Sequence, residues 1–150
     1  MAIVAQLVTS FIATGAFGIL FNAPTKTLIK CGLIGMGGWI IYYILENNNH
    51  DAVVATVTAA VFVGVISHVL AKAYKTPVII YSVAGIIPLV PGGLSYDSMR
   101  NFVENDYNTA LNLAAKAFML SGSIAFGLVL SEVINQVFRK LTDKQKYVKE

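Results

Sequence analysis

Charge is scarce in this sequence. Asp, Glu, Lys and Arg make up 13% of its 150 residues, against about 25% in a typical water-soluble domain. Apolar residues fill 56% of the chain and the mean hydropathy is +0.67, so much of the chain never meets water. Cysteine is almost missing, and the single Cys31 excludes an internal disulfide framework. Two histidines, His50 and His68, and one cysteine make no metal motif, so neither a metal nor another cofactor is expected. No G-x-x-x-x-G-K-[ST] loop occurs, and no nucleophile stands with a base and an orienting group at a recognisable spacing. An enzyme is therefore not expected. The net charge of +3 is small, and the lysines are not interleaved with aromatics, which argues against a nucleic-acid partner.

What the sequence has instead is long apolar runs. Crossing a bilayer as a helix takes about 20 mostly apolar residues. Five segments meet or approach that length: 3–21, 28–45, 52–71, 76–93 and 113–138. The expected fold is all-α, a polytopic transmembrane bundle of about five spans in one membrane domain over residues 1–150, with a basic tail over 139–150. A water-soluble helical bundle is excluded, because five such runs leave too little polar surface to cover them. No Lys or Arg precedes Lys26, so the first run is expected to be a retained span rather than a signal peptide.

The charges test the span count. Basic connections hold Lys26 and Lys30, then Lys72 and Lys75, then the tail with Arg139, Lys140, Lys144, Lys146 and Lys149. The acidic connections alternate with them: Glu46 to Asp51 has no base, and Asp97 to Asp106 has three acids and only Arg100. Cytoplasmic loops are rich in Lys and Arg. Five spans therefore place the N-terminus outside and the C-terminus in the cytoplasm.

One apolar run is interrupted. Between Ala84 and Gly93 stand two of the four prolines, Pro88 and Pro91, and three of the twelve glycines, including Gly92 and Gly93. Proline cannot donate a backbone hydrogen bond and frees a carbonyl one turn earlier, near Ala84 and Ile87 here. Adjacent glycines permit positive φ. The fourth span is expected to end or unwind over Pro88–Gly93. Two readings follow: a broken helix lining a substrate or ion pathway, or a helix that stops at the outer interface. The next stretch, "SYDSMRNFVENDY", places Met99, Phe102, Val103 and Tyr107 at helical spacing, which predicts a short amphipathic helix before the fifth span.

On the fifth span, an arc with Phe118, Gly122, Phe126, Val129 and Val133 should face lipid. Ala117, Ser121, Ala125 and Glu132 share another arc, extended by Ala110 and Ala114, and small residues at that spacing suit close helix packing. Asn112, Lys116, Ser123 and Gly127 form a third. The second span carries Gly32, Gly35, Gly37 and Gly38, another close-packing surface. Five helices cannot easily bury all these faces among themselves, which points to a partner in the membrane.

The stretches "NAPTKTLIKCGLIGMGGWIIYYIL" (22–45) and "GVISHVLAKAYKTPVIIYSVAGIIPLVPGGLSYDSM" (64–99) resemble the threonine/serine exporter family. The resemblance implies ten spans made of two five-span halves, fused or separate, and this chain resembles the short separate half. It implies a second membrane subunit as partner and export of small polar metabolites: threonine, serine or small dicarboxylates such as succinate. A bacterial plasma membrane is the expected location. Ion-gradient drive, with protons as the coupling ion, is the expected mechanism. The rival readings are a non-transporting structural subunit that stabilises a partner, and a homo-oligomeric channel.

Candidate pathway residues are Pro88, Pro91, Gly92, Gly93 and the following Tyr96, together with Glu132, Lys116 and His68. Glu132 lies six residues before Phe138, roughly 9 Å into its span. It is read either as a proton or amine site or as a side chain reaching the interface. Lys116 is read as a snorkelling residue or a carboxylate ligand. His68, one turn before Lys72, is read as interfacial or as a group that titrates near neutral pH.

Overall fold

Helices follow one another with connections of a few residues: α1 (Ala2–Leu20), α2 (Thr25–Asn47), α3 (Ala52–Tyr74), α4 (Val78–Ile86), a 3-10 turn (Ile87–Leu89), α5 (Gly92–Val103) and α6 (Tyr107–Tyr147). This computed structural model describes residues 2–147, with side chains from residue 3 to residue 140. Lys149 and the side chains of Lys144 and Lys146, part of the expected basic tail, lie outside them. Helices α1, α2, α3 and α6 are each long and apolar enough to cross a membrane. Helices α4 and α5, bent by 52° at the break between them, make a fifth crossing if the pair counts as one span.

The helix ends share one device. Asn22, Asn49, Lys75 and Asn105 have φ between 53° and 66°, the left-handed conformation in which asparagine is enriched. Past each of them an amide reaches back to the helix: Ala23 to Gly18 O (2.9 Å), His50 to Leu45 O (3.2 Å), Thr76 to Ala71 O (3.1 Å) and Asp106 to Asn101 O (2.9 Å). This is the Schellman pattern, which satisfies carbonyls left over at a helix end. Pro24 and Pro77 then precede α2 and α4, where a missing N–H costs nothing. Asp106 accepts the Thr109 amide at 3.2 Å and so caps α6. Hydrogen bonds from Thr109 hold the exposed Asp106 carboxyl below the usual carboxylate range.

Small residues set the helix spacing. At Gly35 a Cβ would collide with Thr14, and at Gly32 it would lie 2.6 Å from Phe11, which joins α1 to α2. Gly38 meets Val63, joining α2 to α3, and Gly85 of α4 meets both Ile34 and Val63. The expected close-packing surface of the second span is therefore formed by Gly32, Gly35 and Gly38, with Gly37 set against Phe62 of α3. The core between these helices holds Cys31, Ile34, Ala59, Ala60, Val63, Tyr81, Ala84, Leu89 and Ile124. Buried Ser and Thr hydroxyls such as those of Thr14 and Ser67 bond back to their own turns, to Ser10 O and Val63 O, so a medium without water leaves them satisfied; the buried Tyr81 hydroxyl has no such partner among the described residues.

Helices α3 and α6 run parallel in steady register. Gly64 faces Ser131, whose side chain occupies the place a Cβ would take, and Gly127 faces Ala60 and the Val57 carbonyl. Continued, this register runs out at Ala52 opposite Met119, so the first part of α6 has no α3 beside it. There α5 packs on α6, and Ser98 donates to Ala110 O at 2.8 Å. Parallel α3 and α6 require the chain between them to return across the bundle. The bent α4–α5 pair makes that return.

The break differs from expectation in two details. Gly92 and Gly93 open α5, and no described glycine has positive φ. They start a helix instead of unwinding one, because Pro91 supplies the non-helical residue before it (φ −76°, ψ 52°). The carbonyls expected to be freed by the prolines are engaged. Ile87 N–H bonds to Ala84 O, and Val90 N–H bonds to Ile87 O at 3.2 Å. The chain tightens to 3-10 geometry, which replaces each lost bond by one from a residue nearer in sequence. Leu89 packs beside Gly38, where Val63 also sits. Gly85, just before the break, also meets Val63, and Leu89 belongs to the buried core, so the break begins inside the bundle.

On α6 the expected lipid arc is exposed: Phe118, Phe126, Val129 and Val133, with nothing near Gly122. The packing face is another matter. Ala110, Ala117, Leu120, Ser123, Ile124, Gly127 and Ser131 are buried, whereas Ser121, Ala125 and Glu132 are exposed. The lipid arc is as expected, but the packing arc is not: the buried face runs through Ala117, Leu120, Ser123, Ile124, Gly127 and Ser131, between the two expected arcs.

Candidate functional site

Two residues singled out separately in the sequence meet in the structure. The Nε2 of His68 on α3 lies 2.9 Å from Oε2 of Glu132 on α6. They are brought together by the parallel register, because the Gly64–Ser131 contact one turn earlier leaves no room for a layer of side chains between the helices. His68 is nearly buried, with 14% of its side chain exposed, while Glu132 is 48% exposed. The other Glu132 oxygen accepts from Gln136 Nε2 at 3.2 Å. On the far side of the imidazole, Asn135 Nδ2 lies 3.3 Å from His68 Nδ1.

This cluster borders a cavity of about 600 Å³ at the end of the bundle where α3 stops. His68, Ala71 and Lys72 of α3, Thr76 of the connection, and Asn135, Phe138 and Arg139 of α6 line it. The Thr76 hydroxyl oxygen is shielded from solvent and has no hydrogen-bond partner among the described residues. Two cations, two neutral polar groups and an imidazole converge here, whereas the buried polar residues elsewhere in the bundle are serines and threonines. The set suits a carboxylate-bearing solute, or a proton held between imidazole and carboxylate. Among the described residues no group of three His, Cys, Asp or Glu could hold a metal.

The remaining candidates lie elsewhere. Pro88 and Pro91 are half-buried at the break, Gly92 and Gly93 are exposed at the start of α5, and Tyr96 on α5 is exposed. Lys116 is exposed on α6, near the part of that helix that α5 accompanies. None of these joins the His68–Glu132 cluster. Asn135, Thr76, Lys72 and Arg139 are contributors that sequence reasoning missed, the last two being read only as charges of basic connections. Their signal was present: Glu132, Asn135 and Arg139 stand at i, i+3 and i+7, and His68 and Lys72 at i and i+4, so each set lies on one helix face.

Comparison with known proteins bears on what such a site serves. Residues 6–134 match the family described as "Threonine/Serine exporter, ThrE". A threonine/serine exporter of Corynebacterium glutamicum is 28% identical over 136 residues, covering 91% of this chain and 28% of that protein. An uncharacterized protein of Haemophilus influenzae is 28% identical over 122 residues, covering 76% of this chain and 41% of the relative. The chain thus spans well under half the length of these relatives. No solved structure matches it. With apolar helices that can cross a membrane four or five times and a match over most of its length, this chain is a multi-pass membrane protein of the threonine/serine exporter family.

Proposed function

We propose that the chain is one membrane subunit of a secondary exporter for small polar metabolites, either threonine and serine or small dicarboxylates such as succinate. It acts with a second five-span half, and the short coverage of its relatives is consistent with that division. Its N-terminus lies outside and its C-terminus in the cytoplasm of a bacterial plasma membrane, as the alternation of basic and acidic connections favours. The observation that carries the reading is the His68–Glu132 pair beside a polar cavity. Ionisable residues inside a span are expensive and are kept where protons or substrates pass. The cavity then faces the cytoplasm and admits substrate carboxylates past Lys72 and Arg139, while the pair carries the proton that drives export. The break, with Pro88, Pro91, Gly92, Gly93 and Tyr96, lines the onward path, and Lys116 stands at its outer end.

The test is co-expression of this chain with its companion half in cells that accumulate threonine, serine or succinate, measuring each in the medium. Glu132→Gln should cut export at least tenfold at unchanged protein level, the size of effect expected for an essential proton carrier. Full export from that variant would remove the proton role. Full export without this chain at all would make it a structural subunit.

A further inference from the structure

We propose that His68, Glu132 and Asn135 form a proton-loading site in which the Asn135 side-chain amide turns over each time His68 gains or loses a proton. The inference rests on the exporter reading for its purpose, but its chemistry rests on geometry alone. An ionised carboxylate has only acceptors. Oε2 of Glu132 at 2.9 Å from Nε2 therefore fixes the ring hydrogen of neutral His68 on Nε2. Nδ1 is then a bare acceptor, and Asn135 Nδ2 at 3.3 Å donates to it.

Protonation adds a hydrogen to Nδ1, taken from cavity water. Two donors now face each other, which is untenable for an imidazole with 14% exposure. A half-turn of the Asn135 amide brings Oδ1 where Nδ2 stood and restores the hydrogen bond. Release reverses both steps: the Nδ1–H proton returns to water and Nδ2 swings back. The loaded pair is neutral, imidazolium against carboxylate, and the unloaded pair carries one negative charge. Among uncharged side chains, only Asn and Gln offer a carbonyl acceptor and an NH₂ donor on one rotating group. Asn135 is thus a positioning residue that keeps both protonation states satisfied and lets the imidazole cycle.

The charged groups that face the ring or line its cavity are Glu132 and Arg139 on α6 and Lys72 one turn along α3. The connection to α4 contributes the uncharged Thr76. Helices α2 and α4 pack on other faces of α3 and send no charged side chain to the cavity lining. Lys30 of α2, at the same end of the bundle, sits instead over the ring of Tyr74.

The test uses the full chain in lipid nanodiscs with ring-¹⁵N histidine, His68 being assigned with a His50→Gln control. Neutral His68 should carry its hydrogen on Nε2. Asn135→Asp, nearly isosteric, offers an acceptor in either orientation and should raise the His68 titration midpoint by about one pH unit or more. Asn135→Leu leaves the Nδ1–H of the imidazolium without an acceptor and should lower it. In the co-expressed exporter, Asn135→Asp should flatten the pH dependence of export. A neutral His68 with its hydrogen on Nδ1, or a midpoint unmoved by Asn135→Asp, would overturn the proposal. The resonance measurements need no transport, so failure of the exporter reading is seen separately, as absence of export with these midpoints intact.

Discussion

The α4–α5 break and the α3–α6 seam handle polar groups in opposite ways. At the break the polar groups are backbone atoms. Pro88 and Pro91 remove two donors, and the chain answers within four residues by drawing Ile87 and Val90 onto the stranded carbonyls. At the seam they are side chains, and each finds its partner on another helix or another turn: His68 on Glu132 and Asn135, Glu132 on Gln136. Backbone groups can be repaired locally because their neighbours are fixed by the chain. An ionisable side chain in an apolar setting depends on tertiary structure to supply its counterpart. A proline pair therefore marks a bend, whereas a buried histidine marks a relationship.

The strongest way to break the seam is to widen it. Gly127→Leu places its Cβ 2.7 Å from that of Ala60 and 2.8 Å from the Val57 carbonyl, which a backbone cannot easily yield. A loss of about 2–3 kcal/mol is expected, read as a lower melting temperature in detergent. Gly122→Leu, with nothing within 4 Å, should leave melting unchanged and serves as the control. Equal melting of the two variants would mean that α3 and α6 do not meet as described.

These positions show how far the sequence could be read. The exposed arc of α6 was legible because 3.6-residue periodicity fixes angles around a helix. The identity of the neighbour was not, since an angle says nothing about which helix fills it, and Ser121 and Ala125 face outward although their spacing suits packing. His68 and Glu132 were each legible as ionisable residues within apolar runs. Their meeting depended on the register between helices far apart in sequence. Gly92 and Gly93 were misread at the level of φ, because proline alone supplied the turn.

The break can be sharpened next. Pro88→Ala combined with Pro91→Ala restores two donors and should straighten α4 into α5, reducing the 52° bend. Export is expected to fall several-fold, less than in Glu132→Gln, with insertion unchanged. Export at the wild-type level would confine transport chemistry to the seam and leave the break a purely structural bend.

Smaller effects lie at the helix ends. Lys75 holds φ 53° with a side chain that disfavours it, so Lys75→Gly should stabilise the chain by about 0.5 kcal/mol after the added freedom of the unfolded glycine is counted. A lower melting temperature would show that the lysine contributes more than it strains. Smallest of all is Asp106→Asn. The folded Asp106 carboxyl is held below its ordinary value of 3.8, so its charged-state contribution is complete above that pH and lost as pH falls through the lower folded value. Melting of the two proteins should differ slightly at pH 7, and the difference should shrink near pH 3. A constant difference would mean that the carboxylate charge plays no part in the cap.

The glycine-lined contact between α3 and α6 also constrains motion. Where Gly64 receives Ser131 and Gly127 receives Ala60, the two helices mesh like gear teeth without a compliant layer between them. Neither can slide without climbing over the other, so the pair moves as a single rod. His68 and Glu132, mounted on that rod, keep their separation through any tilting of it. Any change at the His68–Glu132 pair must then come by rotation about side-chain bonds, and the motion left to the two helices is rigid-body tilt.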